Sequence, residues 1–280
     1  MNLILQGLNT DRNAIDSIAA LAGAVRIVPI HANAYRCEGV QHFAEIKAKV
    51  DAECLAAKLD GTFIDGTRKL SDFRLVAMDM DSTLITIECI DEIADMQGLK
   101  PQVAEITEAA MRGEIEFRES LTRRVALLKG LDASALQRVY DERLKLSPGA
   151  EKMLAAVQAA GLKTLLVSGG FTYFTDRMKT RLGLDYTHSN VLEIEGGKLT
   201  GRVVGGIVDA DEKKNTVERV CVELGISPEQ AIVMGDGAND LKMMGISGLS
   251  VAFRAKPVVR AQADVALNFV GLDGVLTLFA

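Results

Sequence analysis

Leu75-Val76-Ala77-Met78-Asp79-Met80-Asp81-Ser82-Thr83 decides how this chain is read: four apolar residues run directly into two carboxylates spaced two apart. The apolar run is too short for a helix and suits a parallel strand buried on both faces. Two carboxylates at the mouth of such a strand can divide the work, one attacking while the other moves a proton. An Asp-x-Asp pair is also ordinary turn chemistry, so the rest of the chain has to arbitrate.

Two further runs share the design. Thr164-Leu165-Leu166-Val167 is followed by Ser168-Gly169-Gly170, and Ala231-Ile232-Val233-Met234 by Gly235-Asp236-Gly237-Ala238-Asn239-Asp240. In open α/β sheets, sites form beyond the carboxyl ends of the strands. Three such ends carrying Asp, Ser and Asp/Asn therefore predict one shared site on a doubly wound, Rossmann-like parallel sheet. Between the first two runs lies a long helical stretch, in which Ile90, Ile93 and Ala94 share one face and Leu121, Val125 and Leu128 another. It exceeds an ordinary crossover and is expected to be a helical cap inserted at about residues 87–145. Pro148-Gly149 opens the next helix, and Gly196-Gly197 marks a hairpin between Val191–Glu195 and Lys198–Val204.

Residues 1–72 read as a small N-terminal α/β unit. Strands are expected at Leu3–Leu8, Val25–Ile30 and Phe63-Ile64, helices at Ala14–Ala22 and Phe43–Leu59, and a linker over Asp60–Asp72. Residues 73–280 then form the second domain.

The net charge of −6 argues against nucleic acid as a partner, so an anionic substrate needs a local cluster of cations. No apolar run is long enough to span a bilayer. The N-terminus lacks the pattern of a signal peptide, and a cytoplasmic protein is expected. Cys37, Cys54, Cys89 and Cys221 lack metal-binding spacing and read as incidental thiols in a reducing compartment.

These motifs, in this order, resemble the haloacid dehalogenase-like phosphohydrolases, and among them the branch acting on O-phospho-L-serine. The resemblance runs from Phe73 to the C-terminus. It rests on Asp79 to Thr83, Glu88, Arg124, Val167 to Phe171, Lys213, Gly235 to Asp240 and Ala255-Lys256-Pro257. The N-terminal unit lies outside it and resembles ACT-like regulatory modules only in element order. A regulatory or an oligomerisation role is expected there, the latter giving a homodimer.

The chemistry can also be built from the residues. A phosphate dianion repels a carboxylate nucleophile, so Mg²⁺ is expected, with oxygen ligands from Asp79 and Asp236. Asp240 would orient a ligand or water. Asp79 is the expected nucleophile, forming an aspartyl-phosphate. Asp81 is the expected acid and base, its pKa raised by burial and a neighbouring carboxylate. Ser168 and the Gly169 N–H would bind phosphoryl oxygens. Thr83 reads as a helix cap.

The resemblance adds a ligand role for the Asp81 backbone carbonyl and picks Lys213, rather than Lys214, as the cation on the phosphoryl group. It implies that Glu88 meets the substrate ammonium and Arg124 the substrate carboxylate. Arg123 is expected to face solvent or to pair with Glu119. Met111 and Phe117 would close over the substrate, and Asn239 would contact its phosphate. Transfer of the phosphoryl group to an alcohol, hydrolysis of another small phosphoester, or a regulatory protein with a degenerate phosphatase domain remain the alternative readings.

Overall fold

The computed structural model describes residues 1–41, 43–111 and 114–280, with Phe43 and Met111 described in backbone only. The N-terminal part runs β1 (Asn2–Gln6), α1 (Arg12–Leu21), β2 (Arg26–His31), β3 (Ala34–Glu38), α2 (Phe43–Ala56) and β4 (Asp60–Ile64). Its sheet has the order β2-β3-β1-β4 with every pairing antiparallel, a βαββαβ arrangement.

Two expectations fail here. Strand β3 is absent from the sequence reading because Tyr35 and Cys37 alternate with charged Arg36 and Glu38, leaving little apolar signal. It forms because the tight turn after His31 folds it onto β2 while β1 pairs with its other edge. Asp60–Ile64 is strand rather than linker, in register with β1 from Asn2↔Ile64 to Gln6↔Asp60.

The second part begins with β5 (Leu75–Met78), followed by the helices α3 (Cys89–Asp95), α4 (Lys100–Met111), α5 (Phe117–Leu127) and α6 (Ser134–Arg138). The stretch is tied at its neck by an antiparallel bridge, Ile85 to Leu146, and by the Thr86 N–H donating to Lys145 O at 2.9 Å. Then come α7 (Ala150–Ala159), β6 (Lys163–Phe171), α8 (Thr172–Leu182), β7 (Tyr186–Glu195), β8 (Lys198–Val204) and α9 (Ala210–Leu224). The chain finishes with β9 (Ala231–Gly235), α10 (Leu241–Met244), β10 (Leu249–Phe253), α11 (Pro257–Arg260) and β11 (Val265–Leu267).

The large sheet has the order β11-β10-β9-β5-β6-β7-β8, parallel except for the β7–β8 hairpin. The chain leaves β5 toward β6 and later returns to its other side at β9, so the strand order reverses at β5, which positions the site. Both faces of the central strands are buried. Val76, Met78, Leu166, Ile232 and Met234 face one core, while Leu75, Ala77, Leu165, Val167 and Val233 face another. That explains why these runs are continuously apolar.

The two sheets are joined by buried polar contacts. The Asp60 carboxylate accepts the N–H groups of Asn268, Phe269 and Val270 at 2.7, 3.0 and 3.0 Å. Gln6 Nε2 donates to Gly274 O at 3.1 Å. All four cysteines are buried and free. Among the described residues no helix is long and apolar enough to cross a membrane.

Candidate active site

Asp79, Ser168 and Asp236 come from three neighbouring strands, β5, β6 and β9. After β5 the chain winds through one wide turn, Met80–Leu84, closed by the Ile85 N–H donating to Met80 O at 3.0 Å. Ser82 sits in this turn at φ 56°, a left-handed conformation unusual for a residue with a side chain. Its hydroxyl donates to Glu88 Oε1 at 2.6 Å.

The turn aims Asp79 inward. Its Oδ1 accepts the Met80 N–H at 2.8 Å and lies 2.8 Å from Lys213 Nζ. The Lys213 ammonium also reaches Asp240 Oδ1 at 2.7 Å, and its side chain is 0% exposed. Asp240 is spent on this scaffold, because its Oδ2 accepts the N–H groups of Asp236 at 3.1 Å and Gly237 at 3.0 Å. Lys214, one residue away, is partly exposed and lies 3.5 Å from Glu218 on the same helix. Helical phase separates the two lysines: residue 213 is buried beside Asp79 and Asp240, and residue 214 is partly exposed.

One carboxyl oxygen each of Asp79, Asp236 and Asp240 can be drawn within 4.8 Å of one another, with one ammonium among them. Burial pushes the Asp79 carboxyl well up, with Lys213 opposing it. Asp236 is pushed up to about 7, by burial and then by Asp240. Burial alone would lower Lys213, but Asp240 and Asp79 outweigh it and hold the ammonium above its ordinary value. The group is short of positive charge, and its donors are hard oxygens, so the described residues form an acidic group able to bind a metal ion.

Asp81 occupies a different environment. Its Oδ1 accepts the Cys89 N–H at 3.2 Å, at the start of α3. Burial, followed by the Glu88 charge, raises its carboxyl to about 7. Its Oδ2 lies against Gly170, where a Cβ would stand 2.8 Å from that oxygen and 3.0 Å from Ser168 Oγ. A side chain at Gly170 would therefore displace the Asp81 carboxylate.

Ser168 Oγ accepts the Gly170 N–H at 2.8 Å. This segment was expected to be a loop; strand β6 instead continues to Phe171 with a shift in register against β7 after Val167. The irregularity is held by Asn190, whose Nδ2 donates to Gly169 O at 2.7 Å while its Oδ1 accepts the Val208 N–H at 2.8 Å. A Cβ on Gly169 would meet the Phe117 ring at 3.1 Å, so Phe117 covers the Ser168-Gly169 corner. The Met111 side chain lies outside the described residues.

Thr83 is no helix cap. It is fully buried, with its hydroxyl 3.5 Å from Asp236 Oδ1, linking the β5 and β9 loops. Asn239 is half-buried in the loop after β9, its Oδ1 directed over Gly237. Arg124 on α5 and Glu88, which caps the start of α3, lie near enough to act on each other's charge. Arg124 feels the charges of Asp91, Glu88 and Asp81, in that order, against a burial that lowers it. Its Nε makes a long 3.4 Å contact with Ser120 O. Arg123 pairs with Glu119 on the exposed side of α5, as expected.

The sequence reading passed over Ser82, Asp91 and Asn190. Ser82 lay inside the quoted motif, but its backbone conformation carries no sequence signal. Asn190 is brought to Gly169 only by strand register.

The profile of the haloacid dehalogenase-like hydrolases matches residues 73–248, and that of a domain of unknown function matches residues 3–46. A phosphoserine phosphatase from a Polaromonas species is 61% identical over 215 residues, covering 75% of this chain and 91% of the relative. The unliganded crystal structure of a probable phosphoserine phosphatase from Vibrio cholerae is 36% identical at a TM-score of 0.84, over 99% of this chain and 86% of that one. A phospho-aspartyl intermediate analogue of phosphoserine phosphatase, also 36% identical, aligns at a TM-score of 0.70 over 76% of this chain and all (100%) of that one. The chain belongs to the haloacid dehalogenase-like hydrolases and, within them, to the phosphoserine phosphatases.

Proposed function

We propose that the chain hydrolyses O-phospho-L-serine to L-serine and phosphate through an aspartyl-phosphate, the closing step of serine biosynthesis. One observation carries this reading: the two acids of the Asp-x-Asp pair are held in unlike surroundings within a single site. Asp79 has one oxygen fixed by Lys213 and the Met80 N–H, while among the described contacts its other oxygen accepts nothing. Asp81, against Cys89 and Glu88, is poised to hold a proton near neutral pH.

In the first step the free Asp79 oxygen bonds to phosphorus as the ester P–O bond breaks, and the Asp81 proton goes to the departing seryl oxygen. In the second, Asp81 takes a proton from the water that attacks phosphorus, which frees Asp79 and releases phosphate. The Ser168 hydroxyl and the Gly169 N–H bind phosphoryl oxygens, as Asn239 does from the β9 loop, and Lys213 offsets their charge. Glu88 takes the substrate ammonium and Arg124 its carboxylate. Met111 and Phe117 close the cleft against water.

The acidic group suits Mg²⁺. With both Asp240 oxygens already engaged, Asp79, Asp236 and the Asp81 carbonyl are the groups left to hold it, and Asp240 orients them. Bound there, the ion would neutralise charge between the phosphate dianion and Asp79.

Residues 1–72 are read as an ACT-like regulatory or oligomerisation domain, and 73–280 as the phosphatase with its cap at about 87–145. The open edge of β2 supports pairing of two copies into a homodimer. The four free thiols support a reducing, cytoplasmic setting.

The test is phosphate release from O-phospho-L-serine beside a panel of small phosphate esters, each with and without Mg²⁺. A Mg²⁺-dependent preference for phosphoserine is expected. Preference for an ester lacking the amino and carboxylate groups would overturn the cap assignment.

A further inference from the structure

Asp91 lies three residues beyond Glu88, the residue that caps α3, and both carboxylates lie near enough to Arg124 on α5 to act on its charge. Oδ1 of Asp91 is buried and, among the described residues, has no hydrogen-bond partner. A buried carboxylate oxygen left unpaired is expensive, so its persistence calls for a partner that arrives with the substrate or moves for it. Glu88 already accepts the Ser82 hydroxyl. Among the described residues, the Arg124 guanidinium has no acceptor beyond the long Ser120 contact. The fork of an arginine can hold one carboxylate along one edge and present its other edge to a second.

We infer that Asp91 is a positioning residue: when the cap closes on substrate it pairs with Arg124 and turns the guanidinium toward the substrate carboxylate. The electrostatic ordering agrees, since Asp91 is the carboxylate that Arg124 feels most and Arg124 is the cation that Asp91 feels most. Lys100 is the other cation near Asp91. It is exposed at the start of α4 and is free to remain in water. The inference rests on the proposed role of Arg124 in binding the substrate carboxylate.

The test compares O-phospho-L-serine with O-phosphoethanolamine, which keeps the ammonium and lacks the carboxylate. Asp91→Asn should raise KM for phosphoserine about tenfold, leave kcat within about twofold, and spare phosphoethanolamine. Asp91→Glu, which restores the charge, should recover part of the loss and also guards against a misfolded asparagine variant. In the Arg124→Ala background, Asp91→Asn should add nothing, because Asp91 acts through Arg124. Equal losses on both substrates, or losses that multiply in the double variant, would overturn the positioning role while leaving Arg124 in place. If Arg124→Ala alone weakened both substrates equally, the carboxylate-binding reading of Arg124 would itself fall, and this inference with it.

Discussion

At the carboxyl ends of the strands, Lys213 is locked between Asp79 and Asp240 at 2.8 and 2.7 Å. On α5, Arg124 stands near Asp91, Glu88 and Asp81 with no ion pair closed among the described residues and only a long contact to Ser120. The centre fixes its charges before substrate arrives, which is what stabilising charge in a transition state requires. Arg124, Asp91 and Glu88 stand near one another with no ion pair among the described residues, which suits the proposed binding of a zwitterionic substrate. In the proposed function the first region carries the chemistry and the second the selection.

The largest effect is expected at Asp79. Asp79→Asn should cut turnover by at least about 10⁴-fold, as loss of a nucleophile does, with far-UV circular dichroism unchanged because Lys213 keeps Asp240. Substantial residual turnover would remove Asp79 from the nucleophile's place.

The next effect is on stability. Lys213→Met leaves two buried carboxylates without their cation and should cost about 3–5 kcal/mol in urea unfolding measured without metal. A change under about 1 kcal/mol would mean that the centre is not held together by that ammonium.

Protonation sharpens the same contrast. Asp81 and Asp236 are both raised from an ordinary 3.8 to about 7 in the folded chain. The folded state therefore binds their protons more tightly than the unfolded state does. The stability this gives is full below about pH 4 and is lost as pH rises through about 7. Without metal, the midpoint of thermal unfolding should fall by at least about 3 °C between pH 5.5 and pH 8, and Mg²⁺ at pH 8 should restore it. A midpoint that rises over that interval would contradict the environments assigned to both acids.

The smallest expected effect belongs to Lys214. Lys214→Ala should change stability by no more than about 0.5 kcal/mol, in contrast to its neighbour.

Much of this was legible in the sequence because burial on both faces writes itself into a strand. Leu75–Met78, Thr164–Val167 and Ala231–Met234 carry continuous apolar runs, and the polar residues after them have to gather where the strands end. The run of helices between β5 and α7 was legible from its length and its 3.6-residue periodicity. Strand β3 was not, because a strand bearing Arg36 and Glu38 is specified by its partners on either side. Asp60 was equally opaque: a linker-like Asp-Gly became a strand start whose carboxylate holds three N–H groups some two hundred residues away. Thr83 and Asp91 show the same limit inside the site. Their roles depend on what faces them across the cleft, and no local pattern reports that.

The claim that Asp79 carries the phosphoryl group is tested most directly by acid-quenching the enzyme during turnover of radiolabelled O-phospho-L-serine and mapping the labelled peptide. Label on the peptide containing Asp79, discharged by mild base and absent from Asp79→Asn, is the predicted result. Phosphate release in the pre-steady state with no protein-bound label would contradict it and point to direct attack by water.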